Sequence, residues 1–132
     1  DKCAPGPVGC VGHCMSGQYI TTVAAQFPTR FAAAASMYGV KIVTDQEDSP
    51  HLLLDQVQGE LYYAFAEVDA HVPDHVIPDL SAALEKAGTA HEVQVFPGTE
   101  HGFQFVERAV YAPVAAEEAW DKLFALWERR LK

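Results

Sequence analysis

The sequence predicts an α/β protein with a mostly parallel sheet flanked by helices, and three observations lead to this fold class. Short apolar runs that are typical of buried strands alternate with longer stretches of helical periodicity. Glycine and proline separate these segments where a strand or helix has to end. The 132 residues contain no repeat and no linker, so we expect a single domain over 1–132. Strands that alternate with helices form right-handed crossovers and hence a parallel sheet.

The first part of the chain predicts two strands, a helix and a polar stretch. "VGCVG", at 8–12, is a short apolar run that predicts a buried strand. The segment 17–27 predicts a helix, which Pro28 ends because proline cannot continue it. "RFAAAASMYG", at 30–39, is small and apolar, and we interpret it as a strand buried on both faces. The Ser-Pro start of 49–57 predicts a short helix within the polar stretch.

The second part predicts two further strands and two helices. "GELYYAFAEVD", at 59–69, is rich in aromatic residues and predicts the strongest strand. The segment 76–88 predicts a helix that has one apolar face and ends at Gly88. "AHEVQVFPG", at 90–98, predicts a strand, and 113–132 predicts a long terminal helix. The apolar side chains at helical intervals in that last helix are Ala116, Trp120, Leu123, Phe124 and Trp127.

Composition and charge exclude some classes of partner. Apolar content of 49% and charged content of 20% are ordinary for a globular protein. The net charge is −9, from 18 acidic and 9 basic side chains. Such a chain cannot neutralise phosphates, so we expect neither nucleic acid nor an anionic membrane as a partner. No apolar run is long enough to span a bilayer and no secretory leader is evident, so we expect a soluble protein.

The three cysteines are Cys3, Cys10 and Cys14, all near the start of the chain. An odd number clustered at one end is a poor disulfide framework. We therefore expect free thiols in a reducing compartment, the cytoplasm. No Cys or His pairs have the spacing of a zinc finger, and we expect neither a metal nor a cofactor.

Three polar residues follow predicted strands directly or closely. Cys14 comes after the first strand, Asp69 after the third and His101 just past the fourth. In parallel sheets, chemistry gathers beyond the carboxyl ends of the strands. We therefore treat these three residues as the candidate site.

Cys14 lies in "VGHCMSG", at a predicted strand-to-helix corner. A nucleophile on such a corner needs small neighbours, and Gly12 and Gly17 supply them. The corner also places the backbone N–H of Met15 where it can donate to an oxyanion. Ser16 is an alternative nucleophile, but its flanking positions would then include a glutamine, which does not suit the turn. The other alternative for Cys14 is a buried structural thiol, the common fate of free cysteine.

His101 and Asp69 have alternative interpretations as well. His101 stands in "PGTEHGF", where Gly98 and Gly102 let the loop turn, and it suits a general base. A solvent-exposed loop histidine is the alternative. Asp69 can orient that histidine, although turn capping is common for aspartate at a strand end. The order of nucleophile, acid and base along the chain is that of the α/β-hydrolase triad.

Four motifs carry a resemblance to a known family. "GHCMSGQ", "FAEVDAHVP", "FPGTEHGF" and "ERAVYAPVAAEEAWDKLFALW" resemble the dienelactone hydrolase family of α/β-hydrolases, over essentially the whole chain. The resemblance implies hydrolysis of small lactones or carboxylic esters without a metal or cofactor. It implies that Cys14 is the nucleophile, His101 the base and acid, and Asp69 its orienting partner, with an acyl-enzyme intermediate.

The resemblance also implies that part of the family's fold is missing. Strands that precede the nucleophile strand in the family have no counterpart here, so we expect the C-terminal half of an α/β-hydrolase fold. A loop in the absent half supplies a second oxyanion donor, and losing one donor costs on the order of 10²–10³ in rate. We therefore expect weakened activity. The first strand would form an open edge, which favours self-association. The rival hypothesis is a catalytically silent half-domain that acts as a binding or assembly module.

Two further observations concern residues outside the predicted triad. His71 and His75 stand four apart, which suggests a metal site, but Pro73 lies between them. We favour roles in the loop and helix cap for both. Arg108 is a candidate contact for an anionic substrate, but its spacing from His101 matches no family position, and we leave it out of the predicted site.

Overall fold

The computed structural model describes residues 5–132, and a four-stranded sheet forms its centre. The strands are β1 (Val8–His13), β2 (Phe31–Met37), β3 (Glu60–Val68) and β4 (His91–Glu100). They lie in the order β1-β2-β3-β4, and every neighbouring pair is parallel. The predicted fold class, α/β with a parallel sheet, is confirmed. The prediction for Cys3 falls outside the described residues, whereas Cys10 and Cys14 are free thiols.

Within residues 5–132, three α-helices connect and follow these strands. They are α1 (Gly17–Gln26), α2 (Val76–Ala87) and α3 (Pro113–Arg130). The short helix predicted after Ser-Pro is a 3-10 helix, Pro50–Gln56. Gly88 caps α2 in the left-handed conformation, with φ of 68°, as its position predicted.

Two strand ends differ from the prediction by two residues, and the other strand ends differ by one residue at most. The second strand was expected to reach 39 but ends at Met37, because Tyr38 has φ of 40° and an extended strand needs negative φ. The fourth strand was expected to end at 98 but continues to Glu100. An irregularity in its pairing with β3 makes this extension possible.

Successive side chains of each strand point to opposite faces of the sheet and enter two separate cores. On one face, α1 and α2 cover the sheet, with Ile20, Ala24, Leu80 and Leu84 in the core. On the other face α3 covers it, and Ala119, Leu123 and Leu126 are fully buried there. The alanines of β2 alternate between the two cores: Ala34 enters the first, and Ala33 and Ala35 enter the second.

The buried side of α3 differs in part from the predicted stripe. Ala116 and Leu123 are buried as expected, but Phe124 is 55% exposed. Ala119 and Leu126 occupy the remaining buried positions. Residue 124 lies about 100° around the helix axis from Leu123, so both cannot face the sheet. Helical spacing alone does not show which side of a wide apolar stripe packs against the sheet.

Close contact between α1 and the end of β2 holds the start of α1 in place. A Cβ at Gly17 would lie 2.4 Å from Oγ of Ser36 and 2.5 Å from Cα of Gly39. Only glycine at 17 permits this approach, because backbone at Gly39 cannot yield as a flexible side chain would. The turn that precedes α1 is thereby pressed against the carboxyl end of β2.

No helix between residues 5 and 132 is both long and apolar enough to cross a membrane.

The two-core packing predicts a large effect of truncating Leu84, which is 0% exposed in α2. Leu84→Ala removes buried methyl groups and leaves a cavity, and we expect a loss of about 2–5 kcal/mol in the free energy of unfolding. Leu52→Ala is the matched control, because Leu52 is 54% exposed and we expect a change within about 0.5 kcal/mol. Urea unfolding followed by circular dichroism measures both. Equal losses in the two variants would contradict the assignment of this core.

Candidate active site

The four parallel strands end at one edge of the sheet, and the residue that follows each strand lies there. These residues are Cys14 after β1, Tyr38 after β2, Asp69 after β3 and His101 after β4. The three predicted site residues therefore all occupy strand ends, as the sequence indicated. Tyr38 is a fourth member that sequence reasoning placed inside a strand.

Cys14 occupies a strained turn between β1 and α1. Its φ is 55°, a left-handed conformation that is uncommon for residues other than glycine. A Cβ at Gly12 would lie 2.4 Å from the carbonyl oxygen of Ser16, so the turn closes only over a glycine. The Ser16 hydroxyl accepts a hydrogen bond from the N–H of His13 at 2.7 Å and donates to the carbonyl of His13 at 2.8 Å. Ser16 thus ties the turn together, and this engages its hydroxyl locally.

Asp69 and His101 form a short hydrogen bond. Nδ1 of His101 lies 2.6 Å from Oδ2 of Asp69, whose side chain is only 3% exposed. The other carboxylate oxygen accepts the backbone N–H of His71 at 2.9 Å. An ionised carboxylate can only accept, so Nδ1 carries the proton and Nε2 is the basic atom. Nε2 is buried and has no hydrogen-bond partner among residues 5–132.

A β-bulge brings His101 opposite Asp69. Ala66 pairs with Phe96, but Val68 pairs with Glu100, so β4 contains two extra residues over this interval. Regular pairing would instead place residue 99 beside Asp69. Gly98 adopts φ of 69° in the bulge, and its N–H donates to Oε2 of Glu67 at 2.6 Å. Bulges of this kind re-aim side chains near functional sites.

Tyr38 lies between the Cys14 and His101 ends of this edge. Its ring contacts the His101 ring edge-on, with centroids 5.1 Å apart, and lies 5.7 Å from the His13 ring. Cys14 is half-buried and packs against the core cluster that contains Tyr38. Because Nε2 of His101 has no partner in the described chain, the Cys14 thiol is not hydrogen-bonded to it in this state.

His13, which precedes Cys14, is packed among aromatic rings. Its centroid lies 5.2 Å from Phe105 and 5.7 Å from Trp120. Burial lowers the pKa of His13, and the nearby Gln104 side chain partly offsets this effect. The side-chain amide of Gln104 makes no hydrogen bond to any residue from 5 to 132. Burial therefore has the larger effect on the pKa of His13. His13 therefore packs as a neutral ring beside the nucleophile.

Two side chains that the sequence treated as peripheral border the site. His71 packs edge-on against His101, with ring centroids 4.9 Å apart. It also lines a cavity of about 180 Å³ together with Lys41 and Val72. The exposed Arg108 lies over Gly102, where a Cβ would come within 2.8 Å of its Nε. Within residues 5–132, no cluster of three or more His, Cys, Asp or Glu is arranged to hold a metal.

Comparison with known proteins shows the family. The model of the dienelactone hydrolase family matches residues 1–131. The chain belongs to the dienelactone hydrolase family. A Synechocystis protein, provisionally named carboxymethylenebutenolidase, is 34% identical over 97% of this chain and 52% of its own length. A Bradyrhizobium protein, provisionally named 2-oxo-3-(5-oxofuran-2-ylidene)propanoate lactonase, is 22% identical over 86% of this chain and 47% of its own length.

Solved structures of the family share the fold. The structure of a Klebsiella pneumoniae protein, provisionally named dienelactone hydrolase, superposes with a TM-score of 0.83 at 23% identity. The match covers 92% of this chain and 51% of that one. The chain thus spans about half the length of the relatives it matches. The sheet and helices described above agree with the α/β-hydrolase fold that the motifs implied.

The geometry of the two described cysteines predicts different alkylation rates. Cys10 lies inside β1, and burial raises the pKa of its thiol to about 11. At pH 8 only about one Cys10 thiol in 10³ is ionised, and the thiolate is the reactive form. Cys14 lies on the turn beyond the strand, and we expect iodoacetamide to modify it first. Peptide mapping by mass spectrometry measures both rates.

The rate at Cys10 should rise about tenfold per pH unit up to about pH 11. Modification of Cys10 before Cys14 at pH 8 would contradict the structure of this edge.

Proposed function

We propose that this chain is the catalytic part of a hydrolase that cleaves small lactones or carboxylic esters through an acyl-enzyme on Cys14. The observation that carries the proposal is the hydrogen bond between His101 and Asp69. It leaves Nε2 of His101 unpartnered within residues 5–132, at the sheet edge where Cys14 lies. Family membership and the names of the relatives support this reaction class.

In the first half of the reaction, Nε2 of His101 accepts the proton of the Cys14 thiol as the sulfur attacks the carbonyl carbon. The S–C bond forms and the carbonyl π electrons move to oxygen, which gives a tetrahedral oxyanion. Asp69 stabilises the imidazolium that results and holds its ring in one orientation. The backbone N–H of Met15 donates to the oxyanion.

In the second half, the imidazolium gives its proton to the leaving alkoxide as the C–O bond breaks and a thioester remains. His101 then accepts a proton from water, whose oxygen attacks the thioester carbon. Collapse of this second intermediate breaks the S–C bond, and the sulfur recovers a proton from His101. With a lactone, the alkoxide stays attached to the acyl group, so the product is a single hydroxy acid.

The first test compares Cys14→Ala with Ser16→Ala in the hydrolysis of 4-nitrophenyl acetate and of dienelactone. Cys14→Ala should reduce turnover to the uncatalysed rate, because no nucleophile remains. Ser16→Ala should keep most of the activity, since Ser16 only braces the turn, and a cap of this kind is worth about 1 kcal/mol. The mass of the intact protein during turnover reports the acyl group on Cys14.

Equal rates in the wild type and Cys14→Ala would contradict the proposal. Loss of activity in Ser16→Ala together with full activity in Cys14→Ala would assign the nucleophile to Ser16.

The second test is Asp69→Asn. The amide can still accept the N–H of His71, but it cannot neutralise the imidazolium of His101, so kcat should fall by up to about 10⁴. Asp74→Asn, an exposed carboxylate in the same loop, is the control and should leave kcat unchanged. Similar effects of the two substitutions would show that Asp69 does not act through His101.

A second candidate function is an assembly module without catalysis, and the position of β1 favours it. β1 pairs with β2 and has no other neighbouring strand in the described part of the chain. An open strand edge offers unpaired N–H and C=O groups to a second copy of the chain. Light scattering across a concentration series measures this self-association. A dimer with wild-type rates equal to those of Cys14→Ala would favour the module over the hydrolase.

A further inference from the structure

Tyr38 is the strand-end residue to which the proposed triad gives no role. His13 pairs with Met37 in the parallel register of β1 and β2, so the next residues of the two strands, Cys14 and Tyr38, are neighbours. The N–H of Val40, two residues later, donates to the carbonyl of Cys14 at 3.2 Å. The backbone after β2 is therefore attached directly to the nucleophile turn.

The backbone of Tyr38 is strained. Its φ of 40° lies in the left-handed region, which a bulky side chain adopts only when surrounding contacts require it. The N–H of Tyr38 donates to the carbonyl of Ala64 at 2.6 Å, which holds this conformation. With the negative φ of a regular strand, the Tyr38 side chain would point in another direction. The strained backbone therefore sets the direction of this side chain.

The Tyr38 hydroxyl is buried. The residue is 2% exposed, and its oxygen makes no hydrogen bond to any part of the chain that the structure describes. The other two buried tyrosines differ in this respect. The hydroxyl of Tyr62 donates to Gln94 at 3.0 Å, and that of Tyr63 lies 2.7 Å from the Thr21 hydroxyl. A buried hydroxyl that lacks a partner destabilises the resting protein and calls for an explanation.

Two charged groups act on the Tyr38 hydroxyl. Burial raises its pKa; the Arg108 guanidinium partly offsets this, while negative charge on Cys14 raises the pKa further. Both charges act on the hydroxyl, and the register of β1 and β2 places Cys14 next to Tyr38. With its pKa raised, the phenol keeps its proton at neutral pH and is a hydrogen-bond donor. The ring contact with His101, at 5.1 Å between centroids, places the base beside it as well.

We propose that the Tyr38 hydroxyl donates a hydrogen bond to the oxyanion formed during attack by Cys14, as a side-chain donor in addition to the backbone N–H of Met15. This inference rests on the proposed function. The donor lacks a partner among residues 5–132 because its acceptor is the oxygen that becomes charged only in the transition state. Tyr38 keeps its proton throughout, while His101 carries the transferred proton. The hydroxyl thus stabilises charge without taking part in proton transfer.

Arg108, whose charge acts on the Tyr38 hydroxyl, is an exposed side chain and has no ion pair with any residue between 5 and 132. Displacing it costs no ion pair within that part of the chain.

The test is Tyr38→Phe, which removes one oxygen and keeps the buried ring. Two reactions of Cys14 are followed. Acylation by 4-nitrophenyl acetate, measured as the pre-steady-state release of 4-nitrophenolate, passes through an oxyanion. Alkylation by iodoacetamide displaces iodide from carbon and forms none. We expect acylation to slow about 10²-fold, while alkylation keeps its wild-type rate. Tyr62→Phe, which removes a buried hydroxyl nearer the start of β3, is the matched control and should change neither rate.

Each other outcome has a definite meaning. Unchanged acylation in Tyr38→Phe, with a wild type that acylates, overturns this inference and leaves the proposed function standing. Equal slowing of acylation and alkylation also overturns it, because the phenol would then support the fold or the thiolate. A wild-type chain that is not acylated at Cys14 overturns both the inference and the proposed function.

Discussion

Parallel pairing of four strands is the constraint on which the candidate site depends. Because all four strands run in one direction, their carboxyl ends meet at a single edge, although the residues there are far apart along the chain. Register then decides which of them become neighbours. The pairing of His13 with Met37 sets Cys14 beside Tyr38, and the pairing of Val68 with Glu100 sets Asp69 beside His101. Two neighbouring pairs thus arise from backbone hydrogen bonding alone.

The second pair places a carboxylate in a buried position. A carboxylate as buried as Asp69 loses most of its hydration, and such a charge is stable only when donors replace the lost water. The N–H of His71 and the Nδ1–H of His101 are those donors. Each also constrains geometry, since one fixes the loop after β3 and the other fixes the imidazole plane. The same bonds that satisfy the buried carboxylate therefore orient the base.

The first pair carries the conformational strain. Cys14 and Tyr38 both adopt left-handed φ values, of 55° and 40°. Each such residue costs about 1–3 kcal/mol, which the two packed cores have to offset. The small residues around them make the strained turns possible, because Gly12 and Gly17 permit approaches that any Cβ would block. The strained backbone at Cys14 and Tyr38 thus depends on the close packing at this edge.

The sequence by itself determined the order of strands and helices, the ends of α1 before Pro28 and of α2 before Gly88, and the positions of Cys14, Asp69 and His101 at strand ends. These features depend on local composition and period, which can be read along the chain. The tertiary structure alone decided the bulge that aligns His101 with Asp69, the end of β2 before Tyr38 and the exposed side of α3. Each depends on contacts between distant segments: register across strands, a single backbone φ held by a neighbouring carbonyl, or the face of a helix that meets the sheet. Local sequence does not contain that information, because the energy that selects each state comes from residues elsewhere in the chain.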